Sequence, residues 1–284
     1  PALMHIVPTA ALTNGSQYTL FTNAIEDLVG NVSGSQSVIF SYLISEVPVI
    51  GDVVINEFLC DPSPVVGLKD AEFVEIYNKS VKIFNVEDWK IGDASSDGTL
   101  QQAWLLPGEY MVLTSTANVD SFTVATQVTS FPSLNNSGDN IVLRTDLGLV
   151  LDSITYSDSW YGDVNKEAGG YTIERINPDD PCTDFSDWLG SNDVLGGTPG
   201  LENSVYDVTP DTDAPGIDQL IALPPNFVEV YFDEGMDSLS LINSIITINP
   251  TLTIQNTFIL EEHPTMMILE FVETIQASQT YTID

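Results

Sequence analysis

Two stretches decide the fold, Val53-Val-Ile-Asn-Glu-Phe58 and Glu72-Phe-Val-Glu-Ile-Tyr-Asn78. In both, β-branched and aromatic residues recur with a period close to two, which is typical of strands that place one face in a core. The same pattern returns in Tyr110-Met-Val-Leu113 and Phe227-Val-Glu-Val-Tyr-Phe232, and pairs such as Asp97-Gly98 predict turns. No segment keeps helical apolar spacing over three turns, so helices are expected only as single turns, for example around residues 184–189. The sequence therefore predicts an all-β, antiparallel sandwich.

The composition excludes several classes of function. The chain has 284 residues, 43% of them hydrophobic, which is enough for about two domains. Its 41 acidic residues outnumber 7 basic ones, and this charge disfavours binding to nucleic acid. Only 2 histidines and 2 cysteines are present, which leaves little material for a histidine base or a zinc knuckle. No stretch is long and apolar enough to predict a membrane span.

The chain divides into three predicted segments. All of the basic residues fall between Lys69 and Arg175, and Pro, Gly and Asp punctuate the boundaries near residues 45–51 and 203–216. The expected domains are residues 1–47, 48–205 and 206–284. Residues 12–20 align with residues 275–283, so the two ends look like copies of one kind of unit.

The central segment resembles the bacterial lamin tail domain, an immunoglobulin-like β-sandwich. Besides the two opening strands, the resemblance rests on Leu106-Pro-Gly-Glu-Tyr-Met-Val-Leu113, Tyr171-Thr-Ile-Glu-Arg-Ile-Asn-Pro178 and Gly197-Thr-Pro-Gly200 with Asn203. The flanks resemble bacterial immunoglobulin-like modules of the surface-layer type. Residues 1–47 look like the C-terminal part of one module and residues 206–284 like the N-terminal part of another. We therefore expect a section of a longer modular protein.

The resemblance implies a function without catalysis. We expect a modular segment of a large secreted or cell-surface bacterial protein that acts in adhesion, presentation or structural linkage. The alternative is an accessory module, such as a carbohydrate-binding one, of a secreted hydrolase or nuclease whose catalytic domain lies outside this chain. The expected partners are neighbouring immunoglobulin-like modules and a protein or glycan at the cell surface, with no nucleic acid, and the expected location is extracellular.

No catalytic residues are predicted. Carboxylates are abundant, but Glu72 and Glu75 lie three positions apart on a strand, which places them on opposite faces of a sheet. They cannot flank one substrate as a glycosidase pair does. Arg175, next to Glu174, is expected to make a structural ion pair or a backbone contact.

Three further sites are proposed from the residues. Asp207, Asp211 and Asp213 cluster at the second domain boundary, where carboxylates can share calcium, although a solvated acidic surface is the ordinary explanation. Trp160 is a candidate for stacking on a sugar, although tryptophans of a sandwich more often belong to its core.

The third proposed site is a disulfide. Cys60 follows the opening strand of the resembled domain and Cys182 follows a late strand that the family places in the same sandwich. A bond between Cys60 and Cys182 is therefore possible, and separate thiols are the alternative. Such a bond would fit an extracellular location.

Overall fold

The computed structural model describes residues 5–93, 96–180, 185–209, 214–259 and 265–283. Most of the regular secondary structure in these residues is strand, so the predicted all-β, immunoglobulin-like class is confirmed. The described residues contain one short α-helix and three 3₁₀ helices, at Val119–Ser121, Asp158–Tyr161 and Phe185–Asp187. The last of these is the single turn that the sequence predicts near residue 185. No helix in the described ranges is long and apolar enough to cross a membrane.

The N-terminal part forms a hairpin of β1 (Ser16–Thr22) and β2 (Gln36–Tyr42). The two strands are antiparallel, with Tyr18 opposite Phe40 and their rings stacked at a centroid distance of 5.7 Å. The Tyr18 hydroxyl accepts a hydrogen bond of 2.7 Å from the backbone N–H of Thr13. This contact fixes the turn that leads into β1.

A ten-stranded sheet dominates the central part of the chain. The strands found between residues 53 and 190 are β3 (Val53–Leu59), β4 (Phe73–Asn78), β5 (Phe84–Asn85), β6 (Lys90–Gly92), β7 (Asp97–Leu100), β8 (Trp104–Leu105), β9 (Tyr110–Ser115), β10 (Ala125–Thr129), β11 (Gly138–Arg144), β12 (Val150–Ser157), β13 (Ile173–Arg175) and β14 (Trp188–Gly190). The order in the sheet is β12-β11-β6-β7-β10-β9-β4-β3-β13-β14, and β5 pairs separately with β8.

The central sheet folds over on itself to make the sandwich. Strand β12, at one edge of the order, lies against β3 near the other edge, where Asp152 accepts a 2.8 Å hydrogen bond from the backbone N–H of Ile55. One face of each strand fills a single core that includes Ile55, Phe58 and Trp188. The pairs are antiparallel except β9 with β10, which run parallel because the chain crosses over through the helix at Val119–Ser121.

The prediction of a turn at Asp97-Gly98 is wrong. These residues begin strand β7, which pairs with β6 and β10. Gly98 is needed there for close packing rather than for a turn, because a Cβ at this position would lie 2.5 Å from a methyl carbon of Val128.

The C-terminal part forms a second, smaller β-unit. Its elements are β15 (Ile217–Leu223), β16 (Phe227–Phe232), α1 (Ser238–Asn243), β17 (Ile248–Asn249), β18 (Ile254–Ile259), β19 (Met266–Phe271) and β20 (Thr282–Ile283). Strands β15, β16, β19 and β18 make a four-stranded sheet, and β17 pairs with β20. The Asp237 side chain caps α1 by accepting from the Ser240 N–H at 2.6 Å.

The start of β20 repeats the local structure of β1. The Tyr281 hydroxyl accepts a hydrogen bond of 3.3 Å from the backbone N–H of Gln276, five residues earlier. In the sequence alignment of the two ends, Tyr281 falls on Tyr18 and Gln276 on Thr13, which makes the equivalent bond. The internal similarity therefore corresponds to the same local geometry at both ends.

Candidate functional site

The most unusual feature of the central domain is a row of three buried glutamates. Glu57 on β3 lies directly opposite Glu75 on β4 and directly opposite Glu174 on β13. All three residues have no exposed surface. Like charges in adjacent positions of a sheet destabilise it, so this row, the glutamate ladder, requires compensation.

A β-bulge places Glu57 in the ladder. Val53 and Ile55 point into the core, and strict alternation would send residue 57 there as well. The pairing register between β3 and β4 shifts between Ile55 and Glu57, which inserts Asn56 as an extra residue. Glu57 is thereby turned to the outer face, and Phe58 returns to the core.

The segment 197–205, which we call the strap, covers the glutamate ladder. It begins with a turn in which the Leu201 N–H donates to the Thr198 carbonyl oxygen at 2.9 Å. Gly200 occupies the third position of this turn with a φ of +86°, and Pro199 precedes it, which is the sequence requirement of a type II turn. Gly197 must lack a side chain, because a Cβ there would lie 2.7 Å from Glu57 Oε1.

Donors on the strap face the carboxylates of the ladder. Glu57 Oε1 accepts from the Thr198 N–H at 2.8 Å, and Glu75 Oε2 accepts from the Gly200 N–H. Glu174 Oε2 accepts from the Ser204 hydroxyl at 2.7 Å and from the Val205 N–H at 3.1 Å. The turn and the strap thus supply neutral hydrogen bonds where a cation would otherwise be needed.

Asn203 fastens the strap to the bulge. Its amide nitrogen donates to the carbonyl oxygens of Asn56 at 3.0 Å and of Arg175 at 2.7 Å. Its amide oxygen accepts from Asn56 Nδ2 at 2.8 Å, and the same Asn56 nitrogen donates to Glu75. Asn203 therefore connects the strap to both β3 and β13.

Burial governs the acid–base behaviour of the ladder. Removal from water raises the pKa of Glu57 well above its usual value, and the neighbouring charges of Glu75 and Glu174 raise it further. Burial also raises the pKa of Glu75 to about 8, although hydrogen bonds from Gly200 and Asn56 oppose the shift. The folded protein thus favours uncharged carboxyl groups at Glu57 and Glu75.

This shift predicts a specific pH dependence of stability. The unfolded chain releases the Glu75 proton near the usual 4.5, whereas the folded chain holds it up to about 8. Stability from this group is therefore fully present below pH 4.5 and lost as pH rises toward 8, by up to about 1.4 kcal/mol per pH unit. We expect the free energy of unfolding of the Glu75→Gln variant, measured with urea at several pH values, to fall less steeply with pH across this range. The exposed Glu167→Gln variant is the control, and equal slopes for both variants would contradict the prediction.

The opposite face of β13 carries a buried ion pair. Arg175 is 1% exposed, and its Nη2 lies 3.1 Å from Asp152 Oδ2. The guanidinium also lies 5.0 Å from the centre of the Trp188 ring. Burial raises the pKa of Asp152, and the Arg175 charge opposes that rise. The structural ion pair expected of Arg175 is confirmed.

The structure also shows where Glu72, Glu75 and Trp160 lie. Glu72 and Glu75 do lie on opposite faces, since Glu72 contacts the Leu134 N–H on the far side from the strap. Trp160 is half-buried and stacks on Trp188 at 5.7 Å, so one of its faces is already occupied by the core. Its role in binding sugar stays a prediction.

The predicted disulfide lies partly outside the described residues, because Cys182 is not among them. In the described part of the chain Cys60 is a free, buried thiol, 3.6 Å from the Tyr161 hydroxyl. Burial raises the pKa of this thiol. We expect mass spectrometry of a non-reduced digest of secreted protein to show the peptides of Cys60 and Cys182 linked. Free thiols on both peptides would contradict the prediction.

The predicted calcium site also lies largely outside the described residues, which include Asp207 but not Asp211 or Asp213. Asp207 accepts hydrogen bonds from the N–H and the hydroxyl of Thr209. We expect the flanking domains to melt at a higher temperature in calcium than in chelator, because a shared ion would stiffen the joint. Identical calorimetric traces in the two conditions would remove the hypothesis.

The sequence alone did not predict the glutamate ladder, although each of its residues stands in a recognised motif. Glu57, Glu75 and Glu174 each lie in a quoted motif, and so do residues 197–200 and Asn203 of the strap. The bulge at Asn56 does leave a signal, because Asn56 and Glu57 together separate Ile55 from Phe58 and break the period of two. Among the described residues, no group of three His, Cys, Asp or Glu side chains is arranged to hold a metal ion. The contacts of the ladder fasten the strap to β3, β4 and β13.

Comparison with known proteins agrees with this description. No curated protein matches the chain. The part of the chain that matches a family model covers β3 to β12, and β13 and β14 extend the same sheet. The matching family is immunoglobulin-like, which indicates a non-catalytic structural or binding module. Residues 46–158 match the family model of the Lamin Tail Domain.

Proposed function

We propose that this chain is a non-catalytic linking section of a large secreted or cell-surface bacterial protein. In this proposal the lamin tail domain stands between two immunoglobulin-like units. The section acts in adhesion, presentation or structural linkage, and its neighbours along the chain are its first partners.

The repeated tyrosine contact carries this proposal. Tyr18 comes before the central domain in the chain and Tyr281 after it, and each accepts a hydrogen bond from a backbone N–H five residues earlier. The sequences around them also align. Units of one type on both sides of a different domain are typical of tandem arrays, whose task is to space and present domains.

The exit of the central domain supports a linking role. The Val205 N–H binds Glu174, and the Asp207 N–H donates to the Ile176 carbonyl oxygen at 3.1 Å. The chain is therefore fastened to β13 up to the residue where it leaves for the next unit. Tension along the chain would be borne by the strap and the ladder.

Surface display can be tested directly on the producing bacterium. An epitope inserted in the full-length protein at the exposed turn of Leu147 and Gly148 should not disturb the core, since Leu147 is 90% exposed. We expect intact cells or the culture medium to carry the epitope, with little further signal after lysis. Labelling that appears only after lysis would overturn the proposal.

Glycan binding by an accessory module is the second candidate function. A groove of about 430 Å³ beside the strap is lined by Trp104, Tyr110 and Gly200. Tyr110 stacks on Tyr77 at 4.7 Å, which gives a firm aromatic surface of the kind that sugars stack on. A glycan array probed with the wild type, Trp104→Ala and Trp160→Ala tests this. Binding lost in either variant supports it, and silence of the wild type across the array contradicts it.

A further inference from the structure

The Thr198 hydroxyl lies between two carboxylates of the ladder. Its Oγ1 is 3.1 Å from Glu174 Oε1 and 3.4 Å from Glu57 Oε2. A hydroxyl carries a single hydrogen, and an ionised carboxylate can only accept. For both contacts to be hydrogen bonds, one of them must use a hydrogen that belongs to a carboxyl group.

The donors around the two carboxyl groups decide which of them holds that hydrogen. Glu174 Oε2 accepts from both Ser204 Oγ and the Val205 N–H. These two donors satisfy Glu174 as an acceptor, so its contacts do not call for a hydrogen of its own. Glu57 lies in the middle of the row, between the other two carboxylates, where a negative charge costs most.

We propose that Glu57 is protonated in the folded protein and donates this hydrogen to Thr198 Oγ1, so that loss of the proton opens the strap. The Thr198 hydroxyl then donates in turn to Glu174. This assignment goes beyond the proposed function, because it gives the central domain an internal acid–base control over its last segment.

The surroundings of the ladder do not supply a cation that would remove the need for the proton. In the described part of the chain, none of the three glutamates makes an ion pair. Arg175 points to the opposite face, toward Asp152. Among the described residues, the other titratable groups that interact around the ladder are acidic or phenolic: Asp179, Glu202, Tyr77, Tyr110 and Tyr206.

Opening of the strap is linked to proton release. With the strap closed, burial and the neighbouring carboxylates raise the pKa of Glu57 well above its usual value. With the strap open, the carboxyl group meets water and its pKa is ordinary. Between these two pKa values the population of the open form rises about tenfold per pH unit, and above the higher one it becomes constant. Since the strap leads directly into residues 206–216, its opening loosens the joint to the next unit.

Infrared spectroscopy of the full chain tests the location of the proton. We expect the wild type at neutral pH to show the carbonyl band of a protonated carboxylic acid. The Glu57→Gln variant should lose a clear part of this band, and Glu75, whose pKa burial raises to about 8, should account for much of what remains. The exposed Glu167→Gln variant should keep the band. A wild type without the band, or a Glu57→Gln variant with an undiminished band, would overturn the proposal.

Hydrogen exchange tests the opening of the strap. We expect the protection of the Thr198 and Val205 amides in the wild type to fall about tenfold per pH unit above the ordinary pKa of a carboxyl group. The amide of Val112 in β9 should keep its protection. Glu57→Gln should make the pH dependence at the strap shallower, because an amide cannot ionise and Glu75 alone then still releases a proton on opening. Strap protection that does not change with pH in the wild type would overturn the proposal, whether or not the variant folds.

Discussion

Replacing Arg175 by methionine is expected to lower the free energy of unfolding by about 3–5 kcal/mol. Methionine fills much of the same space, but it leaves the Asp152 carboxylate buried without its partner at 3.1 Å. It also removes the cation from the Trp188 ring, 5.0 Å away. The loss should appear as a lower midpoint in urea unfolding, with an unchanged slope.

A matched substitution separates burial from charge alone. Arg144 pairs with Asp97 at 2.9 Å, but these side chains are 30% and 49% exposed. Arg144→Met should therefore cost at most about 1 kcal/mol. Adding Asp152→Asn to Arg175→Met should restore part of the stability, because no unpaired carboxylate is then buried. If Arg175→Met costs no more than Arg144→Met, the buried pair does not hold β12 to β13.

Replacing Asn203 by alanine is expected to cost about 2–5 kcal/mol, the second large effect. The substitution removes the donors to the carbonyl oxygens of Asn56 and Arg175 and the acceptor of Asn56 Nδ2. These groups are buried, so each lost partner leaves a desolvated polar atom. Differential scanning calorimetry should show a large fall in the melting temperature of the central domain.

Two further variants sharpen the test of Asn203. Asn165, which is exposed and bonds only to nearby Asp163 among its side-chain contacts, gives the control Asn165→Ala, with an expected change within about 0.5 kcal/mol. Asn203→Asp keeps the shape and the acceptor but removes the donors and adds a carboxylate beside Glu75. It should be at least as damaging as alanine at neutral pH. A harmless Asn203→Asp would show that the amide donors do not hold the strap.

The strap shows how local sequence and long-range structure divide the information. The turn at Thr198-Pro-Gly-Leu201 follows from its residues, because proline fixes one φ and glycine permits the positive one. The residue that this turn contacts, Glu57, does not follow from the local sequence. Glu57 and Thr198 are 141 positions apart in the chain, and only the folded sheet brings them within 2.8 Å.

The end units show the same division. The alignment of residues 12–20 with 275–283 was visible in the sequence, and the structure adds that Tyr18 and Tyr281 make the same contact. Helix α1 is not predicted from the sequence, because six residues give too little periodicity to detect. The turn assigned to Asp97-Gly98 failed because packing against Val128 also demands glycine.

The sequence by itself determined the all-β class, most strand positions and the resemblance to the lamin tail domain. Periodicity and turn chemistry act over a few residues, so they can be read without the fold. Only the tertiary structure decided that Glu57, Glu75 and Glu174 form one row, and that Asp152 lies beneath Arg175. The physical reason is register: a bulge of one residue at Asn56 exchanges the two faces of β3, and cross-strand neighbours are fixed by pairing over long distances along the chain.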